Sequence, residues 1–291
     1  MKTKNKWVPY LFMAPALIIL GVFVIYPIVY SIPLSFMEYS VIGTTKFVGL
    51  SNFKMAMSDS DFWIAMKNSI IFVGMVIPLQ LIAIIIANLV NKKLKGIVIF
   101  RILYYIPVVT SMVAVGIIWK FLLDPTGFIN TVLKSLGFTK DVIYFLDDKR
   151  LALFVLMLIT IWQGIGYYMM MYLGGLQNIS DELIEAARLD GAKEWKILFK
   201  IKIPLLKPYI WICSLTSLIA ALGVFDIVFT MTKGGPDKST LVMNYYSYNV
   251  GFQNFNFGYA SALGLILSVV VLLFSIVLFI YQRRGGMTNE E

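Results

Sequence analysis

Apolar residues gather in long blocks along this chain, and the blocks set the predicted elements. A helix that crosses a bilayer needs about 20 mostly apolar residues. Six stretches meet that length, at roughly Tyr10–Phe36, Ser69–Val90, Leu103–Leu123, Leu151–Leu173, Tyr209–Met231 and Tyr259–Tyr281. Pro27, Pro78 and Pro107 fall in or near spans, where neighbouring helices re-satisfy the freed backbone groups. Lys120, near the end of the third, reaches the interface by snorkelling. The run from Val8 to Phe36 far exceeds the ~7–15 residues of a signal-peptide core. It ends in SIPLSFMEYS, without a small-residue cleavage site, so it reads as a retained first span. The pattern predicts an all-α, polytopic membrane protein with six transmembrane helices. It has one domain over 1–291, with no second soluble domain and no internal repeat.

One polar interruption stands out, ELIEAARLDGAKEWKILFKIKIP at 182–204, between the fourth and fifth blocks. Ser180 is a good N-cap, and Asp181 and Glu182 occupy the first turn, where the helix dipole favours negative charge. Ile179 and Ile184 are spaced as a hydrophobic staple. A short helix is expected from Asp181 to about Leu189, broken at Asp190-Gly191, and a second from Ala192 to about Ile201. Pro204 and Pro208 mark re-entry into the fifth span. Leu183, Ala187, Trp195 and Phe199 fall near four-residue spacing, and Ala186 and Ala187 leave room for another helix. The segment is either an interfacial joiner or a docking element.

Composition agrees with the blocks. Of 291 residues 59% are hydrophobic and 14% charged, where a soluble domain carries about 25% charged. Mean hydropathy is +0.81. The net charge of +9 is topological, because Lys and Arg cluster on alternate connections. They are Lys2, Lys4 and Lys6; Lys92, Lys93, Lys95 and Arg101; Arg188, Lys193, Lys196, Lys200, Lys202 and Lys207; and Arg283 and Arg284. That side is read as cytoplasmic, with both termini and the polar interruption on it, and no nucleic-acid partner is implied. The connections 37–68, 124–150 and 232–258 then face outward, to meet an external partner or as solvated loops. A single cysteine, Cys213, and no histidine leave no disulfide framework, metal site or common general base. GGPDKST lacks the spacing of a phosphate-binding loop.

The polar segment resembles the Glu-Ala-Ala loop of ABC-importer permeases: Glu-Ala-Ala, three residues, Gly, nine residues, Ile, any residue, Leu, Pro. Glu185, Ala186, Ala187, Gly191, Ile201 and Pro204 stand at those places, with Ile203 where Leu is usual. FVGLSNF, YLGGLQNIS, FDIVFTMTKGGPD and FGYASALG extend the likeness over most of the chain. The chain is similar to carbohydrate-uptake permeases of the maltose, multiple-sugar and glycerol-phosphate type, first membrane subunit. It lacks the extra N-terminal spans and outer insertion of the maltose member. The resemblance implies a permease core over about 68–281 and a coupling loop over 176–207. In that loop Glu185, Ala186, Ala187, Asp190 and Gly191 would engage a separate ATPase. It also implies the partners: a second homologous permease, an ATP-binding subunit dimer and an extracytoplasmic solute-binding protein. ATP and Mg would be bound by the ATPase subunits, with no cofactor and no ATPase site in this chain. The expected location is a bacterial or archaeal cytoplasmic membrane.

A sugar path needs aromatic faces and hydrogen-bonding edges inside an apolar bundle. Trp162, Gln163, Tyr167 and Tyr168 supply these in the fourth span, and Ser214, Thr216, Ser217, Phe225 and Asp226 in the fifth. Asp226, a costly carboxylate in a span, is either a ligand group or a helix-end or subunit contact. Aligned through the Glu-Ala-Ala and GGPD stretches, Gly164, Tyr167 and Ser217 match the family's sugar site by identity. Gln163, Ala220, Ala221 and Val224 hold site positions with different side chains, which points away from maltose itself. Each of these is equally readable as helix packing.

The expected function is ATP-driven alternating access for a sugar or oligosaccharide. A glycerol-phosphate-like solute would demand cationic residues that these spans do not show. An ion-coupled secondary transporter would demand paired intramembrane charges, and a plain membrane anchor would not need the loop spacing.

Overall fold

The computed structural model describes residues 8–39, 45–92 and 95–284. Lys2, Lys4, Lys6 and Lys93, which entered the charge pattern, lie outside the described residues, as do the side chains of Arg283 and Arg284. Two compact units divide the chain, one of residues up to Phe62 with Ser247–Val269, the other of Trp63–Tyr246 with the remainder.

In the first unit, α1 (Val8–Leu20) and α2 (Tyr26–Leu34) form one apolar helix over Tyr10–Leu34, joined through a π-helical turn at Gly21–Ile25. Prolines 15, 27 and 33 lie in this run. Proline donates no backbone hydrogen bond and crowds the preceding turn. The wider turn, closed by Tyr26 N–H to Gly21 O, accommodates that mismatch. No residue of the helix's most apolar window is buried against the chain. A hairpin follows, β1 (Met37–Glu38) antiparallel to β2 (Lys46–Phe47), with Met37 opposite Phe47. The buried Asn52 of α3 (Ser51–Ser58) donates to Ser35 O and Met37 O, both at 2.9 Å, and ties the helix to the hairpin. The Tyr259 hydroxyl donates to Asp59 Oδ2 at 2.7 Å. Asn52 of FVGLSNF and Tyr259 of FGYASALG are thus fold anchors.

In the second unit, α4 (Ser60–Val73) and α5 (Val76–Val90) make a single 31-residue run, Ser60–Val90. Arg101 caps its end, Nη2 donating to Val90 O at 2.7 Å. The third expected span is corrected by the structure. In place of one helix over Leu103–Leu123 stand α6 (Ile97–Val109) and α7 (Met112–Leu122), bent by 98°. Thr110 and Ser111, with ψ of 135° and 134°, are extended and interrupt the helical ladder three residues after Pro107. Among the described residues, five helices are long and apolar enough to cross a membrane, or six if the bent pair counts as one span.

The connection 124–150 holds a short helix, α8 (Phe128–Ser135). The 26-residue α9 (Ala152–Gln177) is the centre of the unit and packs on α5 and α6. Ala83 and Ala87 of α5 are fully buried, small surfaces that bring two membrane helices close. Gly166 of α9 does the same toward α6, since a Cβ there would stand 2.1 Å from Tyr104 O. After α10 (Asp181–Leu189) and α11 (Glu194–Ile197), a π turn at Leu198–Lys202 leads to α12 (Ile203–Leu205). The fifth span is α13 (Lys207–Leu222) and, past a break at 223–225, α14 (Asp226–Met231). Then come α15 (Met243–Tyr248) and α16 (Phe257–Arg284).

Candidate functional site

The polar interruption folds as its caps dictate. Ser180 Oγ accepts from Glu182 N–H at 3.2 Å, and α10 spans Asp181–Leu189, the predicted range. Gly191 has φ of +77°, the left-handed turn that only glycine enters without strain. The second helix starts at Glu194, not Ala192, and loosens into the π turn past Ile197. Across the turn Arg188 Nε donates to Glu194 Oε1 at 3.0 Å. Both partners are more than half exposed, so the pair sets geometry more than stability.

One face of this loop is anchored. Ile184 and Ile197 are buried, and Ile179 and Ile184 line one cleft. That cleft, about 300 Å³, lies between the ends of α5 and α9 and the loop; Lys92, Asp181, Glu185, Arg188, Glu194 and Lys202 bring charge to it. Lys202 Nζ donates to Asn88 Oδ1 at 2.7 Å. Burial pushes the Lys202 ammonium below the ordinary lysine range; Glu194 pulls it back, while Arg188 and Lys92 add to the depression. The other face is bare. Leu189 is 89% exposed, Phe199 61% and Trp195 56%, beside exposed Ala186 and Asp190, with Ala187 half-buried; Glu185 is exposed at the rim of the cleft. Exposed apolar side chains held on a capped helix mark an interaction surface.

Within the spans, a buried polar junction joins three helices. Tyr172 OH of α9 donates to Gln80 Oε1 of α5 at 2.6 Å. Gln80 Nε2 donates to Ser217 Oγ and Cys213 O of α13, at 2.8 and 3.0 Å. Ser217, expected on a sugar path, is fully buried and occupied here. Gln80 and Tyr172 were missed by sequence reading; the available signal was an amide inside VIPLQLIAIII.

The two span breaks carry further polar contacts. A helix interrupted inside a membrane leaves carbonyls that need donors. Gln163 Nε2 donates to Thr110 O at 3.3 Å, and Asn244 Nδ2 to Gly223 O at 2.8 Å, so a carboxamide serves each break. Trp162 packs edge-on against Trp119 of α7, centroids 5.5 Å apart. The pieces that follow the two breaks pack together, since α7 meets α14 with Gly116 facing Thr230. Phe225, Phe229 and Tyr245 cluster at the second break, at 5.4–6.3 Å.

The predicted path residues therefore separate. Gly164 packs on Leu79 and Tyr168, and Ala221 and Val224 are buried. Tyr167, 43% exposed and edge-on to Tyr168 at 5.1 Å, and Ala220, exposed beside Thr216 and Gly223, face outward near the breaks. Asp226 stands exposed in the first turn of α14, where the helix dipole favours a carboxylate.

Comparison with known proteins agrees with this architecture. The chain is 35% identical to the lactose transport system permease protein LacF of Rhizobium radiobacter, over 96% of this chain and 94% of that one. It is 30% identical to the multiple sugar-binding transport system permease protein MsmF of Streptococcus mutans, over 95% of each. Its fold matches a subunit of a bacterial alginate ABC transporter solved in complex with an alginate pentasaccharide-bound periplasmic protein. That match has a TM-score of 0.85 at 24% identity, over 98% of this chain and 97% of that one. The model of the binding-protein-dependent transport system inner membrane component family matches residues 55–285, and the chain belongs to that family.

Proposed function

We propose that this chain is one permease subunit of an ATP-driven importer of a sugar or oligosaccharide, working with a second homologous permease, an ATPase dimer and an extracytoplasmic binding protein. It carries no ATPase site; ATP and Mg belong to the partners. Residues 1–291 act as one permease, with a core over about 68–281, and both termini and the loop 176–207 on the cytoplasmic side.

The observation that carries the reading is the two-faced loop. Its inner face is fixed by Ile184, Ile197 and the Lys202–Asn88 bond. Its outer face offers Leu189, Ala186 and Asp190 around the turn at Gly191, with Glu185 exposed at the cleft rim between the two faces. A surface rigid toward the bundle and bare toward solvent is what transmitting a motor subunit's motion requires. The substrate path follows the span breaks, because non-helical backbone persists in a membrane only against protein or a water-filled cavity. Tyr167, with Gln163 one turn away, and Ala220, one turn from the second break, are the path residues; Gly164, Ser217, Ala221 and Val224 support them from behind. Residues 152–177 hold no Lys or Arg, and 207–231 only Lys207. This favours a neutral sugar over a glycerol-phosphate-like anion.

The test is ATP hydrolysis by the purified complex in lipid, driven by its binding protein with a panel of neutral and anionic sugars. A neutral sugar is expected to stimulate; stimulation by anionic ligands alone overturns the substrate assignment. Glu185→Lys is expected to abolish stimulation while the chain stays inserted, and normal coupling in that variant removes the loop's assignment.

A further inference from the structure

An amide near each end of the run Ser60–Val90 holds a loop. On α4, Asn68 Nδ2 donates to Lys238 O at 3.1 Å and Leu241 O at 2.9 Å, and Oγ of the next residue, Ser69, accepts from Met243 N–H at 2.9 Å. Both side chains are buried. The loop they hold, 232–243, does not owe its shape to local preference. Lys233, Asp237 and Lys238 have φ of 51°, 51° and 60°, the left-handed region that residues other than glycine rarely adopt. Such a backbone persists where its surroundings over-determine it. Thr240 closes the loop from within, its Oγ1 2.6 Å from Gly235 O, and Asn68 and Ser69 fix it from outside. Another side is open: Thr232, Gly235 and Pro236 line a cleft of about 350 Å³ with Lys120, Asp124 and Asp147.

On α5, Asn88 Oδ1 accepts from Lys202 of the loop 176–207. Between positions 68 and 88 a helix rises about 30 Å, the thickness of a bilayer's hydrocarbon core. The run between them is unbroken. Across Gly74-Met75 the ladder tightens but does not open, with Gly74 N–H on Ile71 O at 2.9 Å and Met75 N–H on Phe72 O at 3.1 Å. Phe72 and Met75 are buried there, and Pro78 falls in the first turn of α5, where its missing N–H is tolerated. Midway, Gln80 pins the run to α9 and α13, the helices on either side of the loop 176–207. Displacement of one loop along this run therefore stretches its bonds or moves the other loop.

We propose that the run Ser60–Val90 is a brace coupling the two loops, with Asn68 and Ser69 the positioning residues at one end and Asn88 at the other. Closure of the ATPase dimer on nucleotide is felt through it at 232–243. By reciprocity, a partner bound at 232–243 alters nucleotide affinity. The proposal rests on the reading of the loop 176–207 as the ATPase contact.

The test is hydrogen–deuterium exchange, read by mass spectrometry, on the whole complex in lipid discs without binding protein. It compares the complex with and without a non-hydrolysable ATP analogue. In the parent the analogue is expected to change exchange over 232–243 about fivefold or more. Asn88→Leu removes the acceptor for Lys202, and Asn68→Leu removes the donor to Lys238 O and Leu241 O. Each is expected to abolish that response, while Asn88→Asp, which keeps the acceptor, retains it. Exchange along α9 without nucleotide reports folding; where a leucine variant is loosened there, Asn88→Ala or Ser69→Ala takes its place. A response that survives in the variant at either end overturns the brace, and its loss in Asn88→Asp overturns the assignment to Asn88. A parent whose 182–204 segment is protected by the analogue while 232–243 stays unchanged defeats the brace alone. A parent with no ATPase bound, or with no protection at 182–204, defeats the ATPase-contact reading and the brace with it.

Discussion

The first apolar helix, Tyr10–Leu34, and α9 have nearly the same length, 25 and 26 residues, and either is apolar enough to cross a membrane. None of the first helix's apolar window is buried in the chain, whereas 44% of α9's is. The bare helix is the more apolar of the two, and since lipid tails are as apolar as a protein core, apolarity alone does not bury a helix. The difference lies in small and polar side chains with a matching partner. Gly166 admits the backbone of α6, Tyr172 finds Gln80, and Gln163 finds Thr110. The first helix presents Leu11, Phe12, Phe23 and Ile28 to its surroundings, and its Ser31 hydroxyl bonds its own Ile28 carbonyl.

The largest effect is expected where α9 is tightest. Gly166→Leu puts a side chain into the Tyr104 carbonyl and costs at least roughly 1–3 kcal/mol, the range for an overpacked core. Loss of the folded chain in a detergent melting series is the readout, and an unshifted melt breaks the contrast outright. Gln80→Leu comes next. It strands the Tyr172 hydroxyl and costs about 1–3 kcal/mol. Combining it with Tyr172→Phe is expected to recover part of that loss, and strictly additive effects in the double-variant cycle refute the junction. Gln163→Leu removes a longer, half-buried bond and is expected to cost about 1 kcal/mol or less. Phe23→Ala sits at the bottom, within about 0.5 kcal/mol of no change for the isolated chain, as for any side chain that buries nothing. A drop comparable to that of Gln80→Leu erases the distinction between the two helices.

The polar loop was the most legible part of the sequence because its determinants are local. Ser180, Asp181 and Glu182 start a helix and Gly191 ends a turn, whatever lies elsewhere. The break of the third span was hidden for the opposite reason. IPVVTSMVAVGI carries no charge and only two small hydroxyl residues, and the interruption falls on those, Thr110 and Ser111, not at Pro107. How the candidate path residues pair was not legible. Ser217 looks like a hydroxyl waiting for a sugar until Gln80, 137 residues away, is seen to occupy it. Gln163 likewise answers to a carbonyl 53 residues earlier. Which polar groups inside a bundle are already engaged depends on long-range pairing, and no local spacing encodes it.

The bareness of the first helix has a consequence for inheritance. None of its apolar window is buried in the chain, so the chain's internal packing leaves this segment out. A helix that no interior residue leans on is free to diverge, to be exchanged between relatives, or to be re-tailored to a new neighbour without repacking the rest. Residues 8–34 are therefore the natural splice point for chimaeras: grafting a relative's opening helix onto this chain replaces its outer contacts and leaves the machinery behind it intact.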